Sequence, residues 1–133
     1  MIKYTTLSII AVAGLLAAGP ASANSSFTQT CSNIGFAYSG SSPTLVAVCL
    51  NDKNAPHATS LVLKGISNDK GLLTLSPGGG TSSFQMSCGS IKVDVNGPVV
   101  TLSAYCKVSS TQFNSTSLSL NNINNSNGNL VQN

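Results

Sequence analysis

The chain has 133 residues with six Lys, no Arg, three Asp and no Glu, a formal net charge of +3. Charged residues make up 7% and hydrophobic residues 41%, the reverse of a disordered composition. The few lysines are scattered, so the clustered cationic face that binds nucleic acid is missing.

The chain begins with an address. Lys3 is followed by an apolar stretch, Leu7–Ala18, then Gly19-Pro20 and the small-residue triplet Ala21-Ser22-Ala23. A basic start, a short apolar middle and an A-x-A end predict a secretory signal over residues 1–23, cut after Ala23. A membrane anchor is the alternative, but a twelve-residue stretch falls short of the roughly 20 residues that span a bilayer. The expectation is an exported, extracellular protein with no membrane attachment after cleavage. Residues 24–133 then form one domain of 110 residues, with five Lys against Asp52, Asp69 and Asp94, long enough for a modest core.

From Phe27 onward the chain repeats itself at a period of 57. The shift superimposes Phe27 on Phe84, Cys31 on Cys88, Leu45 on Leu102 and Cys49 on Cys106. It holds through Leu63 and Leu120, Ile66 and Ile123, Asn68 and Asn125, and Gly71 and Gly128. Residues 27–76 and 84–133 agree at 16 of 50 positions without a gap, and the agreement includes both cysteines and most core aliphatics. Residues 77–83, Pro77-Gly78-Gly79-Gly80-Thr81-Ser82-Ser83, read as a flexible joint. Copies of about 50 residues rarely bury an adequate core alone, so the two are expected to complete each other.

Within each copy the periodicity is that of strands. Thr44–Cys49 and Thr101–Cys106 place Leu, Ala and Cys at alternate positions, a period-2 pattern. Lys92 and Asp94 alternate with Ile91, Val93 and Val95, and Asn96-Gly97-Pro98 then predicts a hairpin turn. No helical stripe occurs beyond the signal, so the class is all-β.

Four cysteines in an exported chain of this size imply disulfides. Three pairings are open, and the repeat favours the local one, Cys31–Cys49 and Cys88–Cys106. Each would close a span of 18 residues, worth roughly 3 kcal/mol on a chain-entropy model. A zinc site would want close Cys or His partners, and the one His, His57, has none in sequence.

The search for catalytic chemistry fails. Catalysis needs a nucleophile with its base, paired carboxylates or a metal. The three Asp lie in distant segments, and His57 follows Asn54-Ala55-Pro56, which reads as an exposed loop. The glycines after Pro77 have no strand-to-helix setting or Lys of a phosphate loop. Neither an enzyme nor a bound cofactor or metal is expected.

Four elements then become informative together. They are Phe-x-Gln-Thr-Cys at Phe27–Cys31, a second Cys ending a strand (Cys49 or Cys106), Ser-Thr-Ser-Leu-x-Leu-Asn at Ser115–Asn121, and Ile-x-Asn-x-x-Gly-x-Leu at Ile123–Leu130. In this order, and duplicated, they resemble the cyanovirin-N homology family over essentially all of residues 24–133. The resemblance implies a lectin of two pseudo-symmetric halves, each a three-stranded sheet plus a β-hairpin, with strands exchanged between the repeats. It implies up to two carbohydrate sites, typically for terminal α1,2-linked mannose, with oligosaccharides or high-mannose glycoproteins as partners. The first site would join Gln29, Thr30 and Asp52 to Asn125, Ser126, Asn127 and Gly128. The second would join Asn68, Asp69, Lys70 and Gly71 to Ser82, Ser83, Ser87, Lys107 and Ser109. Amides, hydroxyls and main chain match the mixed donors and acceptors of sugars, and Gly71 and Gly128 would let main chain approach the ligand.

The second site departs from the first, because Met86 stands in the place of Gln29. Leu50 also stands where the family often carries a polar residue. The alternative function is a non-enzymatic secreted structural or interaction protein that keeps the fold without binding sugar. Asn24, Asn114 and Asn124 begin N-glycosylation sequons, and the glycine-rich joint gives slack for a chain that closes on itself as a monomer.

Overall fold

The computed structural model describes residues 26–133; the expected signal segment and Asn24 lie outside the described residues. The strands are β1 (Cys31–Ser39), β2 (Ser42–Leu50), β3 (Pro56–Val62), β4 (Ile66–Asp69) and β5 (Leu72–Leu75) in the first copy. The second copy repeats them as β6 (Cys88–Asn96), β7 (Val99–Lys107), β8 (Phe113–Ser119), β9 (Ile123–Ser126) and β10 (Asn129–Gln132). A single 3₁₀ turn precedes each set, at Phe27–Gln29 and at Phe84–Met86.

The strands form antiparallel sheets in the orders β1-β2-β3 and β6-β7-β8, and the hairpins β4-β5 and β9-β10. The turns follow from local chemistry. Lys70-Gly71 and Asn127-Gly128 both hold two consecutive positive φ angles, 51° and 91° in the first pair, 51° and 89° in the second. That is the demand of a two-residue type I′ hairpin, and Asn-Gly meets it best. Each three-stranded sheet also carries a bulge, between Ser32 and Gly35 and between Gly89 and Lys92. At both bulges one residue takes the left-handed conformation, Asn33 at 53° and Ser90 at 51°, which tightens the local twist.

The period-2 pattern turns one face of each middle strand inward. Leu45, Ala47 and Cys49 of β2 are buried, and so are Leu102, Ala104 and Cys106 of β7. Phe27 and Phe84 seal the ends of a single core that also takes in Leu63, Leu120, Ile66 and Ile123. The disulfides join Cys31 to Cys49 and Cys88 to Cys106, each across directly paired positions of a hairpin.

The copies exchange their hairpins. β10 packs beside β3, and β5 packs beside β8. The Leu130 N–H donates to Thr59 Oγ1 at 3.2 Å, and the Leu73 N–H donates to Thr116 Oγ1 at 3.1 Å. Each half of the molecule is therefore a sheet from one copy closed by a hairpin from the other. This arrangement agrees with the fold expected from the resemblance.

The joint is more ordered than its composition suggests. Gly65 N–H donates to Gly80 O at 2.8 Å, Gly79 N–H to Ser76 O at 2.9 Å and Ser83 N–H to Ile66 O at 2.9 Å, while Lys64 and Thr81 form an antiparallel bridge. Gly65 and Gly79 meet face to face: a β-carbon on Gly79 would lie 2.8 Å from Ser76 O and 3.0 Å from Gly65 Cα. The glycines serve a close backbone crossing here instead of supplying slack.

Candidate carbohydrate site

The exchange places the tip of β9-β10 against the first copy. Asn125, on β9, reaches across with its amide. Nδ2 donates to Thr30 Oγ1 at 2.9 Å and to Leu50 O at 2.9 Å, and Oδ1 accepts the Gly128 N–H at 2.8 Å. One side chain thus links the 3₁₀ turn, the end of β2 and its own hairpin. Asn127 adds a second tie, its Oδ1 accepting the Asp52 N–H at 2.8 Å. The loop carrying Asp52 is shaped by Asn51, whose Oδ1 accepts the N–H groups of Lys53 at 2.9 Å and Ala55 at 3.0 Å, an Asx turn.

The first set of expected residues therefore converges at one junction. Gln29, Thr30, Asp52, Ser126 and Asn127 are exposed there, and Asn125 is half-buried. Beside it runs a shallow groove of about 340 Å³ lined by Gln29, Thr30, Ser32, Val48, Leu50 and Pro56. Gln29 lines this groove, and Leu50, 38% exposed, supplies an apolar wall. Amides, hydroxyls and a carboxylate beside an apolar wall can bind a neutral polyhydroxylated ligand.

The second junction repeats the scheme. Asn68 Nδ2 donates to Ser87 Oγ at 2.9 Å and to Lys107 O at 3.0 Å, and its Oδ1 accepts the Gly71 N–H at 2.7 Å. Asp69, Lys70, Ser83, Lys107 and Ser109 are exposed around it. Ser109 Oγ accepts the N–H groups of Gln112 at 3.2 Å and Thr111 at 3.4 Å, so it organises its own loop. Met86, in the place of Gln29, is 83% exposed and offers a thioether where the first junction offers a carboxamide.

Three expectations need revision. Ser82, expected at the second site, is 2% exposed and its Oγ accepts the Ile66 N–H at 3.0 Å. It is a buried brace between joint and hairpin, because the joint lies on β4 instead of swinging free. Gly71 and Gly128 are buried and approach their own chain, not open space. A β-carbon on Gly128 would lie 3.1 Å from His57 Cβ and 3.2 Å from Asn51 Cβ, and one on Gly71 would lie 2.5 Å from Val108 Cγ2.

His57 is the third revision. It stands on β3 opposite Cys49, not in a loop, and is exposed. Pro56 was misleading: it is the first residue of an outer strand, where the missing N–H costs no ladder bond. The useful signal was the repeat, since the matching Asn114 also lies on a strand and donates from Nδ2 to Gly71 O at 2.8 Å. The two residues lie against equivalent glycines, Gly128 and Gly71, so His57 sits beside the first junction.

The sequons are also placed. Asn114 uses in that hydrogen bond the nitrogen to which a glycan would be attached. Asn124 lies on β9, its Oδ1 accepting the Ser26 hydroxyl. Among the described residues no group of His, Cys, Asp or Glu is disposed to hold a metal ion, and no helix is long and apolar enough to cross a membrane.

Comparison with known proteins supplies the family. The model for the CVNH domain matches residues 27–131. The structure of the CVNH protein from T. borchii superimposes with a TM-score of 0.65 at 28% identity, over 81% of this chain and 99% of that one. Microvirin, solved in complex with mannobiose, gives a TM-score of 0.63 at 26% identity, over 82% of this chain and 99% of that one. A variant of MoCVNH3 in complex with (N-GlcNAc)4 gives 0.63 at 18% identity, over 82% and 97%, and shows the fold alone. No curated protein sequence matches the chain.

Proposed function

The chain belongs to the CVNH family of lectins, and from that membership we propose that it is an exported, non-catalytic protein that binds mannose-type oligosaccharides at the junction of Gln29-Thr30, Asp52 and Asn125–Gly128. Carbohydrate binding follows the family; the particular sugar and the particular junction are our reading.

The observation that carries the choice of junction is the convergence, through Asn125 and Asn127, of segments lying 95 and 75 positions apart. Gln29 and the Asp52 carboxylate flank it, whereas the second junction has Met86 and Ser109 at the matching places. A sugar hydroxyl both donates and accepts, and a carboxamide beside a carboxylate meets both needs. A charge-assisted bond to Asp52 is the strongest single contact available there. Microvirin, 26% identical and solved with mannobiose, supports a mannose ligand.

Export rests on the sequence of residues 1–23, and the reading of a non-catalytic protein rests on the family and on the scattered Asp residues of the sequence. Isothermal titration with α1,2-mannobiose, beside a glycan-array screen, tests the reading. Binding that weakens at least about tenfold in a Gln29→Ala, Asp52→Ala double variant, the loss of two or three net hydrogen bonds, is the expected result. Silence across the array would favour a secreted interaction protein that has kept the fold without the sugar.

A further inference from the structure

The two halves share a backbone but not an outer sheet face. On the first sheet a groove of about 460 Å³ runs over β2 and β3, lined by Asn33, Val46, Val48, Ala58 and Ser60 among others. The matching groove on the second sheet is about 580 Å³ and carries Ser90, Ser103, Tyr105, Ser115 and Ser117 at the corresponding positions. Between the copies, then, Val46, Val48 and Ala58 correspond to Ser103, Tyr105 and Ser115, while Gly35 corresponds to Lys92 and Pro56 to Phe113. Substitution on a solvent-facing sheet surface usually exchanges one polar residue for another, but here an apolar floor has become a hydroxyl floor with an aromatic wall.

That wall is built. The Tyr105 and Phe113 rings are stacked with centroids 5.4 Å apart and planes 10° from parallel. Tyr105 lines the groove and Phe113 stands on the neighbouring strand, opposite Lys107, so one face of Tyr105 is braced and the other borders the groove. The rings remain 48% and 44% exposed, an arrangement that leaves aromatic surface in water although burial is worth roughly 25 cal/mol per Å². Across the floor, Lys92 pairs with Ser103 and Ser103 with Ser117, while Tyr105 pairs with Ser115, setting polar groups about 4.8 Å apart from strand to strand. The Lys92 ammonium lies 3.7 Å from the Asp94 carboxylate, so the one cation that lines the groove is paired.

We propose that this groove is a second carbohydrate-binding surface, distinct from the proposed mannose junction, and that its ligand is a neutral β-linked chain of gluco-configured pyranoses. Rings with equatorial hydroxyls present an unbroken C–H face, which the negative face of an aromatic ring attracts. Their hydroxyl rim meets the Ser103, Ser115 and Ser117 floor, where each hydroxyl both donates and accepts. An axial hydroxyl breaks the C–H face, and the lysine lining the groove, Lys92, is already paired with Asp94. The first sheet, with Val48 and Pro56 in place of the rings, has no such wall.

The test is titration of the ¹⁵N-labelled protein with cellotetraose, followed by amide shifts. The expected shifts fall at Ser103, Tyr105, Ser115 and Ser117, with those of Thr30 and Asn125–Gly128 unmoved. Tyr105→Ala should weaken binding at least about tenfold, the order of a lost aromatic contact, while Tyr105→Phe keeps it. No shift at millimolar cellotetraose, shifts confined to the hairpin junctions, or undiminished affinity in Tyr105→Ala would overturn the proposal. Because the probe and the responding amides differ from those of the mannose junction, failure of either reading leaves the other standing.

Discussion

Asn125 and Thr30, 95 positions apart in the chain, are joined by a 2.9 Å hydrogen bond from the amide nitrogen of one to the hydroxyl of the other. The same amide also holds Leu50 O and the Gly128 N–H, so both of its N–H groups are committed to the fold. Asn125 shapes the junction from within, and the proposed ligand is left with Gln29, Asp52, Ser126 and the main chain. Replacing Asn125 with Ala removes three hydrogen bonds, each worth a net of about 0.5–1.5 kcal/mol. Urea denaturation should show a loss of about 2–4 kcal/mol, and Asn68→Ala a similar loss from its matching set. Asn125→Asp keeps the acceptor but sets a carboxylate oxygen against Leu50 O, so it should be no better tolerated.

The residues proposed to meet the sugar should separate affinity from stability. Gln29 and Asp52 are exposed, and substituting their side chains with Ala should leave the melting temperature within about 2 °C, as surface changes usually do. Affinity for α1,2-mannobiose should fall at least about tenfold. Met86→Ala, at the equivalent place in the second half, should change neither quantity. A fall in affinity equal to that of the first pair would move the principal site to the second junction.

Glycine is required at the two hairpin tips for two separate reasons. Gly71 and Gly128 hold φ at 91° and 89°, which costs a residue with a side chain about 1–3 kcal/mol. An added methyl also meets Val108 and Asn114 in one case, His57 and Asn51 in the other. Gly71→Ala should destabilise more than Gly128→Ala, because its nearest contact is 2.5 Å against 3.1 Å. Thermal melts of the two variants check the order.

The disulfides should be near-equivalent. Each closes 18 residues, so removal of either pair by double substitution to Ala should cost about 3 kcal/mol. Peptide mapping without reduction should recover only the local pairs. A crossed Cys31–Cys88 peptide would contradict the hairpin geometry.

Because the joint is tied down by Gly65, Ile66 and Ser76, the two exchanged hairpins are expected to close within one chain. Light scattering at micromolar concentration should give a monomer mass. Deleting Gly78-Gly79, which removes the N–H that Ser76 O accepts, should shift the protein toward a swapped dimer, since strained hinges favour swapping.

The fold was legible because the repeat carried it. Alternation at Leu45, Ala47 and Cys49, repeated at Leu102, Ala104 and Cys106, determined both strands and their inward faces, and Asn96-Gly97-Pro98 announced the turn between β6 and β7. The site was legible only as an address. Sequence could name Asn125 as belonging there, but not that its amide would be consumed by Thr30, Leu50 and Gly128, because those partners meet only after the hairpins exchange. His57 and Ser82 were misplaced for a related reason. Pro56 and the glycine run carry loop composition, and it is tertiary contact with Cys49 and Ile66 that makes one a strand and the other a brace.

The hairpin exchange has a consequence for the order in which the protein comes into being. A ribosome delivers β1, β2 and β3 long before β9 and β10, so the first sheet must wait with an open flank at β3 until that hairpin arrives. The contacts that close it span most of the chain, and such topologies fold slowly. The first junction, which needs both Thr30 and Asn125, is thus the last feature to form. An intact first junction would report that β9 and β10 are in place, and a product lacking β10 would be defective in its first half, far from the missing residues in sequence.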